Sequence, residues 1–159
     1  MATASHIQLI PATAGVYHVP SITQESCKAA SNLLQENHDK YHMFFNQEGF
    51  HNHITHHLLT ILALGASPDE LQRAFDWNKD YQRPQFPVNE ENVRAMHDDE
   101  KWKGFLGKEK YFHDFEAFFK KEIDEKGWED VLQERLFAKT DRAEDLLVRM
   151  YAGKSCTCL

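Results

Sequence analysis

From Ser21 onward, apolar and small residues recur at helical spacing. Ser21 with Gln24 three residues later has the form of a capping box, and Ala30, Leu34, Asn37, His38, Tyr41 and Phe45 follow as inward-type residues, which predicts a long helix over 21–45. Gln47-Glu48-Gly49 breaks it. A second helix is expected over 52–64, where the apolar run Leu58-Leu59-Thr60-Ile61-Leu62-Ala63-Leu64 is stopped by Gly65. Ser67 as cap, Pro68 at the first helical position and Glu70 reaching back announce a third, carried by Leu71, Ala74, Phe75 and Asn78 and closed by Arg83-Pro84-Gln85-Phe86-Pro87. Shorter pieces are expected at 89–96 and 102–106, and further helices at 111–125, 127–137 and 140–151. No stretch reads as a convincing strand, and no repeat or low-complexity linker interrupts the chain. The pattern therefore predicts an all-α fold, a single helical domain over 21–153 after an irregular leader over 1–20, with a short tail at 154–159.

Composition narrows the possible partners. A chain of 159 residues can bury roughly two-thirds of its unfolded surface, enough for a real core. The net charge of -7 and the absence of any Lys/Arg run longer than Lys120-Lys121 argue against nucleic acid, whose phosphates demand a basic patch. Cys27, Cys156 and Cys158 cannot form a disulfide framework, and the leader, broken by Pro11, Gly15 and Pro20, has no basic start, so it is no signal peptide. The longest apolar run is too short to span a bilayer. The expectation is a cytoplasmic protein with no membrane partner. Cys156-Thr157-Cys158-Leu159 matches a prenylation box only in outline, since Thr and Cys hold its aliphatic positions and no polybasic run precedes it.

Chemistry concentrates where the second helix begins. His51, His53, His56 and His57 fall within seven residues, and the imidazole ring both titrates near neutrality and ligates metals, so the cluster offers either a metal site or a proton-transfer site. On a helical wheel His53 and His57 lie about 40° apart with Leu64 between them, which predicts that this pair edges the buried face while His56 points to the polar side. His38 and His42 repeat the His-x-x-x-His spacing on the preceding helix. A hairpin of the two helices would gather four imidazoles, although buried histidines also serve simply as hydrogen-bonded core residues. Asn37, Tyr41 and Glu48 are the nearest groups able to orient those rings, and Phe44, Phe45, Phe50, Phe75, Trp77 and Tyr81 could wall a pocket for a flat substrate or belong to the core. His6, His18, His97 and His113 have no readable context. Phosphate-loop, dinucleotide-fingerprint, nucleophile-elbow and Cys-x-x-Cys motifs are all missing.

The stretch Asn37-His38, Tyr41-His42, Phe44-Phe45-Asn46, Gly49-Phe50-His51-Asn52-His53 and His56-His57-Leu58-Leu59, closed by Leu64-Gly65-Ala66-Ser67-Pro68, resembles the questin oxidase-like family of fungi. Tyr81-Gln82-Arg83-Pro84, Trp102, Leu106-Gly107, Phe118-Phe119-Lys120-Lys121-Glu122-Ile123 and Leu146-Leu147-Val148-Arg149-Met150 continue it in the same order. The resemblance implies an NADPH-dependent oxidoreductase that oxygenates anthraquinone-type polyketides, including Baeyer-Villiger ring opening, in secondary metabolism. It carries His53 and His57 as catalytic candidates, and the same pair with His38 and His42 as ligands for non-heme iron. It also implies an N-terminal fragment, because family members continue past the stretch resembling Met150-Tyr151-Ala152-Gly153 into a His-Pro-x-x-His motif and a further helical half. Such a fragment would leave Leu146, Leu147, Met150 and Tyr151 without apolar partners and would self-associate. The competing expectation is a non-catalytic helical module that binds a partner, a regulatory role or a metal.

Overall fold

The computed structural model describes Thr3 and residues 5–151, with side chains through Arg149. Among these residues every regular element is helical, with α-helices joined by short 3-10 turns and three isolated bridges in place of strands. The all-α expectation is met. The chain forms two compact units, Met1–Gln85 and Phe86–Leu159. The 154–159 tail lies outside the described residues.

In the first unit the leader is a strap tied down at both ends. The Ile7 amide donates to Gln35 Oε1 at 2.9 Å and the Leu9 amide to Ser31 Oγ at 2.8 Å, then a 3-10 turn over Pro11–Thr13 leads on to Val19, whose amide donates to the Ala63 carbonyl at 2.9 Å. At Gly65, with φ +90°, a Cβ would come within 2.9 Å of Val19 Cγ2, so the strap crosses here only because the residue has no side chain.

Helix α1 spans Gln24–Lys40. Its cap is Thr23 rather than Ser21, because the Thr23 side chain accepts the Ser26 amide at 3.1 Å. It also stops short of the expected Phe45. Tyr41 is extended, and the backbone finds partners elsewhere: the His42 amide donates to the Arg83 carbonyl and the Gln85 amide to the Lys40 carbonyl. The segment then doubles back, with the Phe45 amide on the Phe50 carbonyl and the Asn52 amide on the Met43 carbonyl. Helical periodicity through residue 45 was outweighed by these long-range bonds, which give the backbone partners outside a helix.

Helix α2 spans Ile54–Ala63 and α3 spans Pro68–Lys79, the latter begun by the expected Ser67–Glu70 capping box. Cys27, Ala30 and Leu34 from α1 meet Ile54, Leu58 and Leu62 from α2 and Leu71, Ala74 and Phe75 from α3 in one core. Each large side chain buried here contributes about 1.5–3 kcal/mol. Cys27 is fully buried, and burial pushes its thiol pKa up, so it is a core residue with little thiolate character.

The second unit contains α4 (Glu90–Ala95), α5 (Asp99–Phe105), α6 (Phe112–Lys126), α7 (Trp128–Leu136) and α8 (Asp141–Tyr151). Asn89 caps α4 through its side chain while its amide donates to Asp114 Oδ1 at 2.7 Å, and Asn92 occupies Asp114 Oδ2 at 2.8 Å. The buried Asp114 carboxylate thus ties α4 to α6. Trp102 lies at the centre, edge-on to Phe115 at 4.8 Å and Phe118 at 5.2 Å. Gly127, at φ +85°, ends α6 and begins α7 at a single residue.

Across that joint sits a charged network. Glu122 receives Arg135 Nη2 at 2.5 Å and Lys126 Nζ at 2.9 Å, and Lys126 also reaches Glu134 at 2.9 Å. Glu122 and Arg135 are both buried, and the guanidinium lies 5.0 Å from the Phe118 ring centroid and 5.7 Å from that of Trp102. Leu146, expected to be uncovered, is instead packed into this core, while Leu147 is half-buried. The side chains of Met150 and Tyr151 lie outside the described residues. Leu146 thus belongs to the same buried cluster as Trp102 and Phe118 and not to an uncovered face of α8.

Candidate functional site

The turn into α2 is fixed by an amide network rather than by the histidines. Asn52 Nδ2 donates to Asn37 Oδ1 at 2.8 Å, Asn52 Oδ1 accepts the Ile54 amide at 3.0 Å, and Asn37 Nδ2 donates to Thr55 Oγ1 at 3.3 Å. One buried asparagine on α1 thereby holds the loop and the first turn of α2 together. Asn37 was expected to orient an imidazole; it orients the backbone that carries the imidazoles. Asn52→Ala removes two of these bonds and is expected to cost about 1–3 kcal/mol in urea unfolding, the cost of leaving buried polar groups unmade. A cost below about 0.5 kcal/mol would show that the network is not what holds the turn.

The histidines then take positions that differ from the wheel. Because α2 begins at Ile54 and buries Ile54, Leu58 and Leu62, its inward stripe is centred on Leu58, which places His57 about 100° and His53 about 140° away from it. Both are exposed, as is His56. The expectation that His53 and His57 edge the buried face is corrected: Leu64, taken as a marker of that face, is 71% exposed.

What forms is a row of rings. His51 and His53 lie nearly parallel with centroids 6.4 Å apart, and His53 meets His56 edge-on at 5.8 Å. Behind them, His51 packs edge-on against the buried Phe44 at 5.4 Å, and Phe44 against the wholly buried His42 at 6.0 Å. His38 is exposed at the end of α1, and its carbonyl accepts Gln85 Nε2. Among the described residues no three His, Cys, Asp or Glu side chains are grouped to hold a metal ion. The four-imidazole iron site of His38, His42, His53 and His57 is therefore not assembled here, because α1 ends before it can present His42 beside α2.

His57 faces a different neighbour. Asn78 Nδ2 donates to the Ala74 carbonyl at 2.7 Å, and Asn78 Oδ1 accepts the Tyr81 hydroxyl at 2.7 Å, which fixes the amide's orientation. The same NH2 group meets His57 Nδ1 at 3.3 Å, so Nδ1 is the acceptor and the ring proton of neutral His57 sits on Nε2. Tyr81 continues edge-on to Phe45 at 5.3 Å, and Phe45 lies 6.1 Å from Phe50. Phe50, Trp77 and Tyr81 are 59%, 79% and 50% exposed, whereas Phe44 and Phe75 belong to the core. Of the aromatics singled out in the sequence, Phe45, Phe50 and Tyr81 form a chain of ring contacts. Asn52 and Asn78 were missed; their only signal was an amide among histidines and an amide one turn before Tyr81.

No described residues form a dinucleotide cradle. Among them there is no strand to lead a glycine loop into a helix, and the chain lacks that loop's sequence. NADPH therefore has no binding residues assigned on this chain. No helix among the described residues is long and apolar enough to cross a membrane.

Comparison with known proteins gives the same family that the sequence resembles. The family described as questin oxidase-like matches residues 50–155. The chain is 44% identical over 153 residues to the questin oxidase of Aspergillus terreus, covering 96% of this chain and 34% of that protein. It is 41% identical over 150 residues to a Baeyer-Villiger monooxygenase of Cryptosporiopsis sp., covering 94% and 34%, and 38% identical over 151 residues to a Baeyer-Villiger oxidase of Pestalotiopsis fici, covering 95% and 34%. The chain spans about a third of the length of these curated relatives. With more than half of its residues matched, the chain belongs to the questin oxidase-like family.

Proposed function

We propose that the chain is the histidine-bearing part of an oxidoreductase that oxygenates anthraquinone-type aromatic polyketides in fungal secondary metabolism, with NADPH as reductant. The observation that carries this reading is the imidazole row of His51, His53 and His56 at the entry to α2, followed on its first turn by His57, whose Nδ1 accepts from Asn78 so that its proton sits on Nε2. Oxygen insertion beside a carbonyl requires a base for phenolic protons and a donor for the carbonyl oxygen as negative charge builds on it. His53 is the base, with His51 and His56 in ring contact on either side to take the proton onward. His57 is the donor, held in that role by Asn78. Phe45, Phe50 and Tyr81 offer ring surfaces to a flat substrate. NADPH, when bound, would supply two electrons, and dioxygen would supply the inserted atom, its other atom leaving as water. Iron finds no ligand set among the described residues, and proton transfer is the reading we retain for the cluster.

The test uses a chimera in which this chain replaces the matching third of the Aspergillus terreus questin oxidase. Turnover of a hydroxyanthraquinone with NADPH is expected from the chimera, and none from the 159-residue chain alone. A folded chimera without turnover would support a helical binding module instead, and turnover by the chain alone would show that the relative's other two-thirds are dispensable.

A further inference from the structure

The strap encloses a groove that the histidine row does not use. Its floor is one face of α2, with Leu59, Ala63 and Leu64, and its wall is the leader at Tyr17 and Val19; the groove has a volume of about 790 Å³. That lies within the range of small-molecule sites. It is a built feature, since the strap is anchored on both α1 and α2 and turns at Gly15, where φ is +122°.

The polar groups along it share one property. His18 Nδ1 lies 2.7 Å from the Gly15 carbonyl, which can only accept, so the proton is on Nδ1 and Nε2 of the neutral ring keeps its lone pair. Thr60 donates its hydroxyl to the His56 carbonyl at 2.7 Å, and Thr13 donates to the Ile10 carbonyl at 3.2 Å. All three have spent their side-chain donors within the protein; His18 and Thr60 retain acceptors, and Thr13, which also accepts the Ile10 amide at 3.2 Å, retains one lone pair. The remaining polar side chain, Tyr17, is 91% exposed at the rim. An apolar groove whose polar side chains, Tyr17 aside, are left as acceptors is complementary to a flat apolar molecule bearing hydrogen-bond donors.

We infer that this groove is a binding site for a phenol, with the ring between the strap and α2 and the hydroxyl donating to His18 Nε2. Thr60 lies one turn beyond His56 on the same face of α2, so the groove begins beside the end of the histidine row. The inference is separable from the proposed chemistry because binding is read without turnover.

The test is titration of the full 159-residue chain with 1-naphthol and, separately, with its methyl ether at pH 8, followed by amide chemical shifts. Saturable shifts at residues 13–19 and 59–64 are expected for the naphthol, with the ether about tenfold weaker, the value of one hydrogen bond. His18→Leu should bring the naphthol down to the affinity of the ether, and Leu59→Arg, at an exposed position, should weaken both. Equal affinities in the unaltered chain, a preference that survives His18→Leu, shifts centred on Phe50 and His53, or no saturation at millimolar probe would each overturn the assignment.

Discussion

Glutamine at position 53 of the active chimera is expected to lower kcat by about 10²–10⁴-fold, the range spanned by loss of a positioned general base. Glutamine keeps the size and hydrogen bonding of the ring but cannot take up a proton. Because His53 is exposed at the N-cap of α2 and its side chain makes no capping bond, the substitution should leave stability nearly unchanged, within about 0.5 kcal/mol. His56→Gln and His51→Gln should produce smaller losses, since each removes one neighbour of the row and leaves the base. His57→Gln should reduce kcat by removing the donor while the acid limb of the pH–rate profile, set by the base, stays in place. A His53→Gln enzyme with unchanged kcat would remove the row from the chemistry. Equal losses across His51, His53, His56 and His57 would mean that the four act as a surface and not in separate roles.

The largest effect on stability is expected at Arg135. Arg135→Ala leaves Glu122 buried with its main partner gone, and breaking a buried ion pair from one side costs about 3–5 kcal/mol. The alanine also forgoes the guanidinium's contacts with Trp102 and Phe118. Urea unfolding followed by Trp102 fluorescence, in a background where the exposed Trp77 and Trp128 are phenylalanine, isolates the second unit. The joint change Glu122→Leu with Arg135→Met should recover most of the loss, because it removes both charges together. A single-variant cost under about 1 kcal/mol would mean that Glu122 rehydrates or that Lys126 suffices.

Acid should weaken the same network. Burial raises the pKa of Glu122, but hydrogen bonds from Arg135 and Lys126 outweigh that and hold it below the ordinary carboxylate value; Glu134 is lowered by its bond from Lys126. His97 Nδ1, 3.7 Å from Glu122 Oε1, is the remaining titratable neighbour. A carboxylate with a depressed folded pKa stabilises the fold above its unfolded value, about 4.3 for Glu, and that contribution fades as pH falls through the folded value. Stability of the second unit should therefore drop below about pH 4, and the double variant should flatten the drop.

Helix identity was legible in the sequence wherever the signals were local. Ser67-Pro68 with Glu70 started α3 at the expected residue, and Asn89 marked α4, because capping acts within one turn. The end of α1 was not legible. Tyr41 and His42 carry helical spacing, yet their backbone pairs with Arg83 and Pro84, more than forty residues away. That same misplaced boundary spoiled the histidine geometry, since the expected hairpin of imidazoles required α1 to run on past His42. The wheel for α2 failed for a related reason: it weighted Leu64 as buried, and only packing against α1 and α3 reveals that Leu58 is the centre. Proximity of His51, His53 and His56 could be read from their numbers; the proton positions on His57 and His18 could not, because Asn78 and Gly15 set them through space.

Gly127 carries a consequence for how this family can vary in length. One residue closes α6 and opens α7, so nothing at that joint can take up slack. A single inserted residue within the first turn of α7 would rotate the rest of the helix by about 100° and advance it by about 1.5 Å, turning Arg135 off Glu122 and Val131 out of its buried place. Insertions and deletions should therefore be absent between residues 122 and 135 in functional relatives and should gather instead in exposed connections between other helices.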